Sequence, residues 1–456
     1  MADEPPDTPD SGPNSGPDSG RHRAVPSGRV ARLGTFGRLA GGVAGGVIGE
    51  GARRLARGER PRMRDLLLTP GNVGRLADRL SHLRGAAMKL GQMISMDAGD
   101  MLPPELAEIM ARLRENAHHM RPQQLQKVLA SQWGANWRTR FRQFDARPIA
   151  AASIGQVHKA VTHDGRELAI KVQYPGVRES IDADVDNVAT LLRMSGLLPR
   201  ELDIAPLLAD AKRQLAEETA YRREGEQMAL FGQLLADTPE VVVPALDSEF
   251  TTDSVLAMSF LPGKPIETLE SAPQDVRNSV MRVLMSLVLR ELFEFGVMQT
   301  DPNFANYRYQ PDSGRLVLLD FGAARPVAME TSEAYRRLLR TGFAGNRDAV
   351  RTAAVGFIGP GAVHGHRERI DAMLDIVIGE MTREGPFDFG DRQFVSVLRD
   401  EGMAVAADRA TWHVPPSDLL FVQRKVSGTA LLAARLKARV DVRALALPWV
   451  EQPVAP

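Results

Sequence analysis

The sequence predicts an α+β fold of two lobes, a small strand-bearing lobe and a larger, mostly helical one. Three observations predict it. Residues 156–161 and 167–173 (ELAIKVQ) are apolar runs on either side of His163-Asp164-Gly165, and Asp-Gly between two such runs signals a hairpin. Residues 315–319 (RLVLL) follow the turn Pro311-Asp312-Ser313-Gly314 and read as a short buried strand. Beyond Asp320 helical patterns dominate, at 331–342, 346–356, 367–382 and 419–438. A chain of 456 residues has room for two domains or one large bilobal one.

Composition narrows the function. Hydrophobic residues at 43% and charged ones at 25% fit a soluble globular protein. Formal net charge is zero and no basic stripe is interleaved with aromatics, so no nucleic-acid partner is expected. With no cysteine, disulfides, thiolate metal sites and cysteine nucleophiles are excluded. The opening MADEPPDTPD is acidic and has no apolar core, so no secretory signal is expected. No run of about 18 apolar residues occurs, so no conventional membrane-spanning helix is expected either.

Residues 1–30 are rich in Pro, Gly, Ser and Asp and are expected to be a disordered tail. Residues 31–64 carry Arg32, Arg38, Arg53, Arg54, Arg57, Arg60, Arg62 and Arg64 against Glu50 and Glu59. Between the basic flanks lies LAGGVAGGVIG, whose small residues suit close helix approach. This segment reads either as a basic membrane-surface anchor or contact between two copies of the chain, or as a flexible glycine-rich linker. Leu76, Leu80, Leu83, Ala87, Leu90 and Ile94 then recur at helical spacing. That helix contains Lys89-Leu90-Gly91-Gln92, in which Lys89 is either a solvated helix lysine or a group beside a ligand. Further helices are expected at 105–116 and 122–132.

The stretch 298–324, MQTDPNFANYRYQPDSGRLVLLDFGAA, carries the densest chemistry. Asp301 is followed five residues on by Asn306, and then by Asp320-Phe321-Gly322. Phosphoryl transfer from ATP needs that order: an Asp beside the accepting group, then an Asn and an Asp that hold Mg²⁺. A second Asp-Phe-Gly, at 388–390, has no Asp-x-x-x-x-Asn before it and no apolar strand leading in, so it reads as an ordinary loop. Upstream, Ala169-Ile170-Lys171 matches the strand lysine that pairs with α- and β-phosphates. The loop expected to cover the nucleotide is Ala150-Ala151-Ala152-Ser153, with Gly155 after it. Each β-carbon there restricts the backbone and its approach to phosphate, where ordinary kinases use glycine. Helices are expected at 181–198 and 206–231, and one of Glu217, Glu218 and Glu224 is expected to meet Lys171. Residues 241–244 and 252–260 read as further strands of the small lobe, 261–264 as a turn, and 275–295 as a buried helix.

Taken together, Lys89-x-Gly91-Gln92, the Ala150–Ser153 loop, Lys171 in AIKVQYPGV, the helix around Glu218 and Glu224, MQTDPNFAN and LLDFGA resemble the UbiB/ADCK (ABC1/AarF) atypical kinase-like family, especially its coenzyme Q branch. The resemblance implies a bilobal protein-kinase-like fold whose N-terminal helical extension packs over the active site. It puts Lys89 and Gln92 near the phosphates and pairs Lys171 with Glu224. Glu218 would begin an element that holds Lys89, but Glu218-Thr219-Ala220 lacks that element's usual Asp. Gln299-Thr300-Asp301 stands where ordinary kinases have His-Arg-Asp.

The organisation expected is then a tail at 1–30, the basic segment at 31–64, the helical extension at 65–147, an N-lobe with a helical insertion at 148–262, a helical C-lobe at 263–440 and a C-terminal tail at 441–456. The activity implied is Mg²⁺-dependent ATP hydrolysis at an anionic membrane surface. It would serve hydrophobic quinone precursors and the enzymes of coenzyme Q biosynthesis, in the cytoplasm at the face of the inner membrane. The alternatives are a true protein or small-molecule kinase, and a nucleotide-gated assembly factor with little turnover.

Overall fold

The computed structural model describes residues 120–152, 154–194, 205–391, 393–406, 408 and 416–451. The chain divides into two compact units, with the division at Thr219/Ala220 among the described residues.

In the first unit, Pro122 opens α1 (Pro122–Trp133), where its missing N–H is no loss, and Gly134 at φ 88° closes it. A packed aromatic cluster follows: Trp137 meets Phe144 at 4.9 Å, and Trp133 meets Phe141 at 5.4 Å. The strands are β1 (Phe141–Phe144), β2 (Ala150–Ala151), β3 (Gly155–Thr162) and β4 (Glu167–Gln173). β3 pairs antiparallel with β1, β2 and β4. The expected hairpin is present, turning through Gly165 at φ 88°, a value that glycine adopts without strain. Leu168, Ile170 and Val172 alternate along β4 into the core. Two helices complete this unit, α2 (Ile181–Met194) and α3 (Ala205–Glu218), joined across their faces by Lys212 and Asp186 at 2.7 Å.

The second unit begins with α4 (Tyr221–Leu234). The sequence reading made 206–231 one helix; the structure breaks it at Thr219 and Ala220. Thr219 turns its hydroxyl back onto Ala216 O at 2.6 Å, and its carbonyl is taken by Gln173 Nε2 at 2.7 Å. Local side-chain bonds of this kind compete with helix continuation. Next come β5 (Val241–Val242), β6 (Val255–Ser259) and β7 (Lys264–Pro265). α5 (Gln274–Arg290) runs into one wide turn, Glu291–Phe295, which Gly296 ends at φ 63°. Then follow β8 (Val297–Gln299), β9 (Tyr307–Gln310), β10 (Arg315–Leu318) and β11 (Ala324–Pro326). β5, β10, β9 and β7 form one sheet in that order. The sequence places residues 241–244 with the strands of the small lobe, but Val241 and Val242 pair in parallel with Leu316 and Val317. Two-residue strands go where a partner edge is open, and their own pattern says nothing of which one.

The remaining helices are α6 (Met329–Phe343), α7 (Arg347–Ile358), α8 (Pro360–Gly365) and α9 (Arg367–Thr382). They are followed by β12 (Phe387–Asp388), α10 (Gln393–Ala406), α11 (Ser417–Arg435), β13 (Arg439–Val440) and α12 (Val442–Glu451). The stretch 441–456, read as a tail, carries α12. Its last carbonyls are taken by side chains of α6, with Arg336 on Trp449 O at 3.0 Å and Arg340 on Val450 O at 2.8 Å. A core of Val288, Leu292, Met298 and Val422 joins α5, β8 and α11.

Candidate active site

β8 and β11 bring the Asp301 loop and the Asp320 segment side by side, with Gln299 opposite Ala324. The pairing continues past the strands: Thr300 Oγ1 donates to Ala323 O at 2.8 Å. On the other flank, Leu318 lies opposite Tyr307, and Leu319 N–H donates to Asn306 O at 3.0 Å. Asn306, which ends the short 3₁₀ turn Phe304–Asn306, is thereby bonded to the residue just before Asp320. Asn306 Nδ2 donates to Asp301 O at 3.3 Å, and Asp301 Oδ1 accepts Asn303 N–H at 3.3 Å. The three expected residues are therefore held in one hydrogen-bonded constellation.

α4 grips the Asp320 segment at three points. Arg223 donates to Gly322 O at 3.1 Å and to Ala324 O at 2.6 Å. Phe321 is buried against Phe231, with ring centroids 5.1 Å apart. Glu224 is buried, and a β-carbon on Gly322 would lie 3.6 Å from its Oε2 and 3.4 Å from Asp320 Oδ1. Two carboxylates thus lie close beside this backbone. Asp320 Oδ1 also accepts Gly322 N–H at 3.0 Å.

Lys171 and the alanine loop belong to the first unit. Ala150, Val157 and Lys171 lie opposite one another across β2, β3 and β4, so they share one face of the sheet. Lys171 is 8% exposed on that face. Beside the β2–β3 pairing, Ala152 N–H donates to Gly155 O at 2.9 Å. Glu218 ends α3, half-buried. Lys89, Gln92 and Ser153 lie outside the described residues.

The second Asp-Phe-Gly is structural. Asp388 pairs in β12 with Arg439 of β13 and accepts Arg439 Nε at 2.9 Å and Gly390 N–H at 2.8 Å. The Gly390 bond first, with Arg439 beside it, holds the Asp388 carboxyl below its ordinary value.

Beneath the Asp301 loop, Lys425 of α11 is 2% exposed and Glu291 0%. Burial opposes the ammonium, but Glu291 and Tyr307 outweigh it and hold Lys425 above its ordinary range. Burial pushes Glu291 up, with Lys425 pulling the other way. Sequence reasoning missed these two residues and Arg223. The signal was present: Lys425 interrupts the apolar stripe of Phe421, Val422, Leu432 and Ala433, and Glu291 that of Leu287, Val288 and Leu292.

Oxygen donors from Asn306 and Asp320 fit Mg²⁺, a hard cation that keeps several waters and needs few protein ligands. Asn306 Nδ2 is committed to Asp301 O, which leaves the amide oxygen as the atom for a cation. Among the described residues no cluster of three or more His, Cys, Asp or Glu forms a metal site of another kind.

A constellation of a loop Asp, an Asn and an Asp-Phe-Gly gripped by one helix is that of a kinase-like phosphotransferase site. The description "ABC1 atypical kinase-like domain" matches residues 112–354, and the chain belongs to this family. It is 38% identical to the atypical kinase COQ8, mitochondrial, of Saccharomyces cerevisiae over 91% of this chain and 84% of that one. It is 37% identical to the atypical kinase COQ8B, mitochondrial, of Rattus norvegicus, over 93% and 81%. Among solved structures it resembles Rv3197 of Mycobacterium tuberculosis, determined with erythromycin, at 26% identity and TM-score 0.58, covering 83% of this chain and 96% of that one. The fold is accordingly the kinase-like α+β fold the sequence predicts. Among the described residues no helix is long and apolar enough to cross a membrane.

Proposed function

We propose that this protein is a Mg²⁺-dependent ATPase of the atypical kinase-like class that supports ubiquinone biosynthesis. The observation that carries the chemistry is the grip of α4 on the Asp320 segment, together with the bonds that join Asn306 to Asp301 and Leu319. Lys171 neutralises charge on the phosphates, and Glu224 orients Lys171. Asp301 orients the attacking oxygen and accepts its proton. With water as that oxygen, a bond forms to the γ-phosphorus, the bond to the bridging oxygen breaks, and ADP and phosphate leave. Mg²⁺ held by Asn306 and Asp320 would neutralise charge across the phosphates. Lys89, Gln92 and Ser153 complete the nucleotide site, and Glu218 supports Lys89.

Relatives named COQ8 support the quinone assignment, with hydrophobic quinone precursors and their biosynthetic enzymes as partners. The basic segment 31–64 attaches the protein peripherally to an anionic inner-membrane surface, or joins two copies. At about 1 kcal/mol per basic residue near such a surface, its arginines suffice for reversible binding.

The test is ATP hydrolysis by the protein lacking residues 1–30, with and without anionic liposomes, beside Asp320→Asn. Phosphate release that rises with liposomes and is lost in Asp320→Asn is expected. Labelled phosphate appearing on a protein or metabolite would turn the reading to a true kinase. Tight Mg²⁺-nucleotide binding without release would turn it to a nucleotide-gated assembly factor.

A further inference from the structure

Gln299 is held at both ends by one buried ion pair. Lys425 Nζ donates to Gln299 Oε1 at 3.0 Å and to Tyr307 OH at 3.2 Å, and faces Glu291 Oε2 at 3.6 Å. Glu291 Oε1 accepts Gln299 N–H at 3.3 Å. A cation at Oε1 fixes which way the Gln299 amide points, because an ammonium bonds only to its oxygen. The amide's Nε2 then donates to Asp301 O at 2.9 Å, the same carbonyl that takes Asn306 Nδ2. One turn along α11 the loop is touched again: a β-carbon on Gly428 would lie 2.3 Å from Cβ of Pro302, in a ring that cannot rotate away. Lys425 and Gly428 both lie beyond the matched residues 112–354.

A buried ion pair is a poor device for stability alone, because apolar residues of like volume do as well or better. Its placement supplies the reason. We propose that Lys425 and Glu291 are positioning residues for phosphoryl transfer. Through Gln299 they set the Asp301 carbonyl, and with it the Asp301 carboxylate and the Asn306 amide, while Gly428 seats Pro302 on α11. The proposal rests on the Mg²⁺-nucleotide chemistry proposed above.

The experiment compares the full chain with Glu291→Gln/Lys425→Met and with Gly428→Ala. The double substitution leaves no lone buried charge, so the fold survives the removal of the pair. Alanine is the better helix former, so Gly428→Ala does not weaken α11 itself. Steady-state ATP hydrolysis is measured, together with the thermal shift given by ADP with and without Mg²⁺. In both variants kcat is expected to fall about 100-fold, the cost of a loop misplaced by roughly 1 Å, with KM for ATP little changed. The extra thermal shift that Mg²⁺ gives to ADP is expected to disappear, because Asn306 has moved. Retention of that Mg²⁺ increment in both variants, or kcat within about threefold of wild type, would overturn the proposal. A wild-type chain that shows the increment but releases no phosphate sinks the ATPase reading, and the increment alone then decides the positioning role.

Discussion

Ala220 begins α4 and has no side chain with which to cap it. The first N–H groups of a helix need acceptors, and Asp, Asn, Ser or Thr at this position supplies one. Ala220→Asp, which restores the acid that the resemblance leads one to expect, should stabilise the protein by about 1 kcal/mol. Urea unfolding measures this, and an unchanged midpoint would mean that those N–H groups are satisfied in another way. Three residues on, Arg223 donates to two carbonyls around the Asp-Phe-Gly turn. Arg223→Met keeps much of the stem and removes both bonds, at an expected cost of about 2 kcal/mol, since bonds to charged groups are the stronger ones. ATP turnover should fall with it, while far-ultraviolet circular dichroism stays that of the native fold. Full turnover in Arg223→Met would show that Phe231 and Glu224 suffice to seat the segment.

At the scale of elements, the two Asp-Phe-Gly copies form a built-in control. Both aspartates accept the N–H of their own glycine, Asp320 at 3.0 Å and Asp388 at 2.8 Å. Only the first is gripped by a helix and bonded through its neighbour to an Asn-bearing loop. Asp388→Asn should therefore leave ATP turnover at the wild-type level, where Asp320→Asn abolishes it; a matching loss in both would contradict the assignment. Those motifs were readable in sequence because each is contiguous and ordered along the chain. The hairpin at Gly165 was readable because Asp-Gly specifies its own turn. The break at Thr219 was not, because it depends on Gln173, 46 positions earlier. Nor was the partner of Val241 and Val242, or the charge pair of Glu291 and Lys425, which lie far apart in sequence and meet only after α5 and α11 pack.

At the scale of the whole molecule, the buried charge beneath the loop should shape the pH dependence of stability. Lys425 is held above its ordinary value of 10.5, with burial opposed and outweighed by Glu291 and Tyr307. Tyr307 is raised above 10.0 by burial first, with Lys425 pulling back and Glu291 and Asp301 adding to the rise. A group whose folded value is raised contributes stability that is complete below its unfolded value and is lost as pH climbs through the folded one. Both groups therefore erode stability in the same window, from about pH 10 upward. Asp164, Asp237 and Asp388 are lowered in the fold, so their share is lost only as pH falls below 3.8, and all three stand near the surface where solvent screens them. The stability curve should accordingly be lopsided, shallow on the acid side through these three and steep on the alkaline side. Urea midpoints at pH 7 and pH 11 test this, with Glu291→Gln/Lys425→Met as the reference. If the buried pair is the source, the double variant loses less between the two pH values than the wild type does. An equal loss in both proteins would assign the alkaline limb to other groups and leave Lys425 with a positioning role alone.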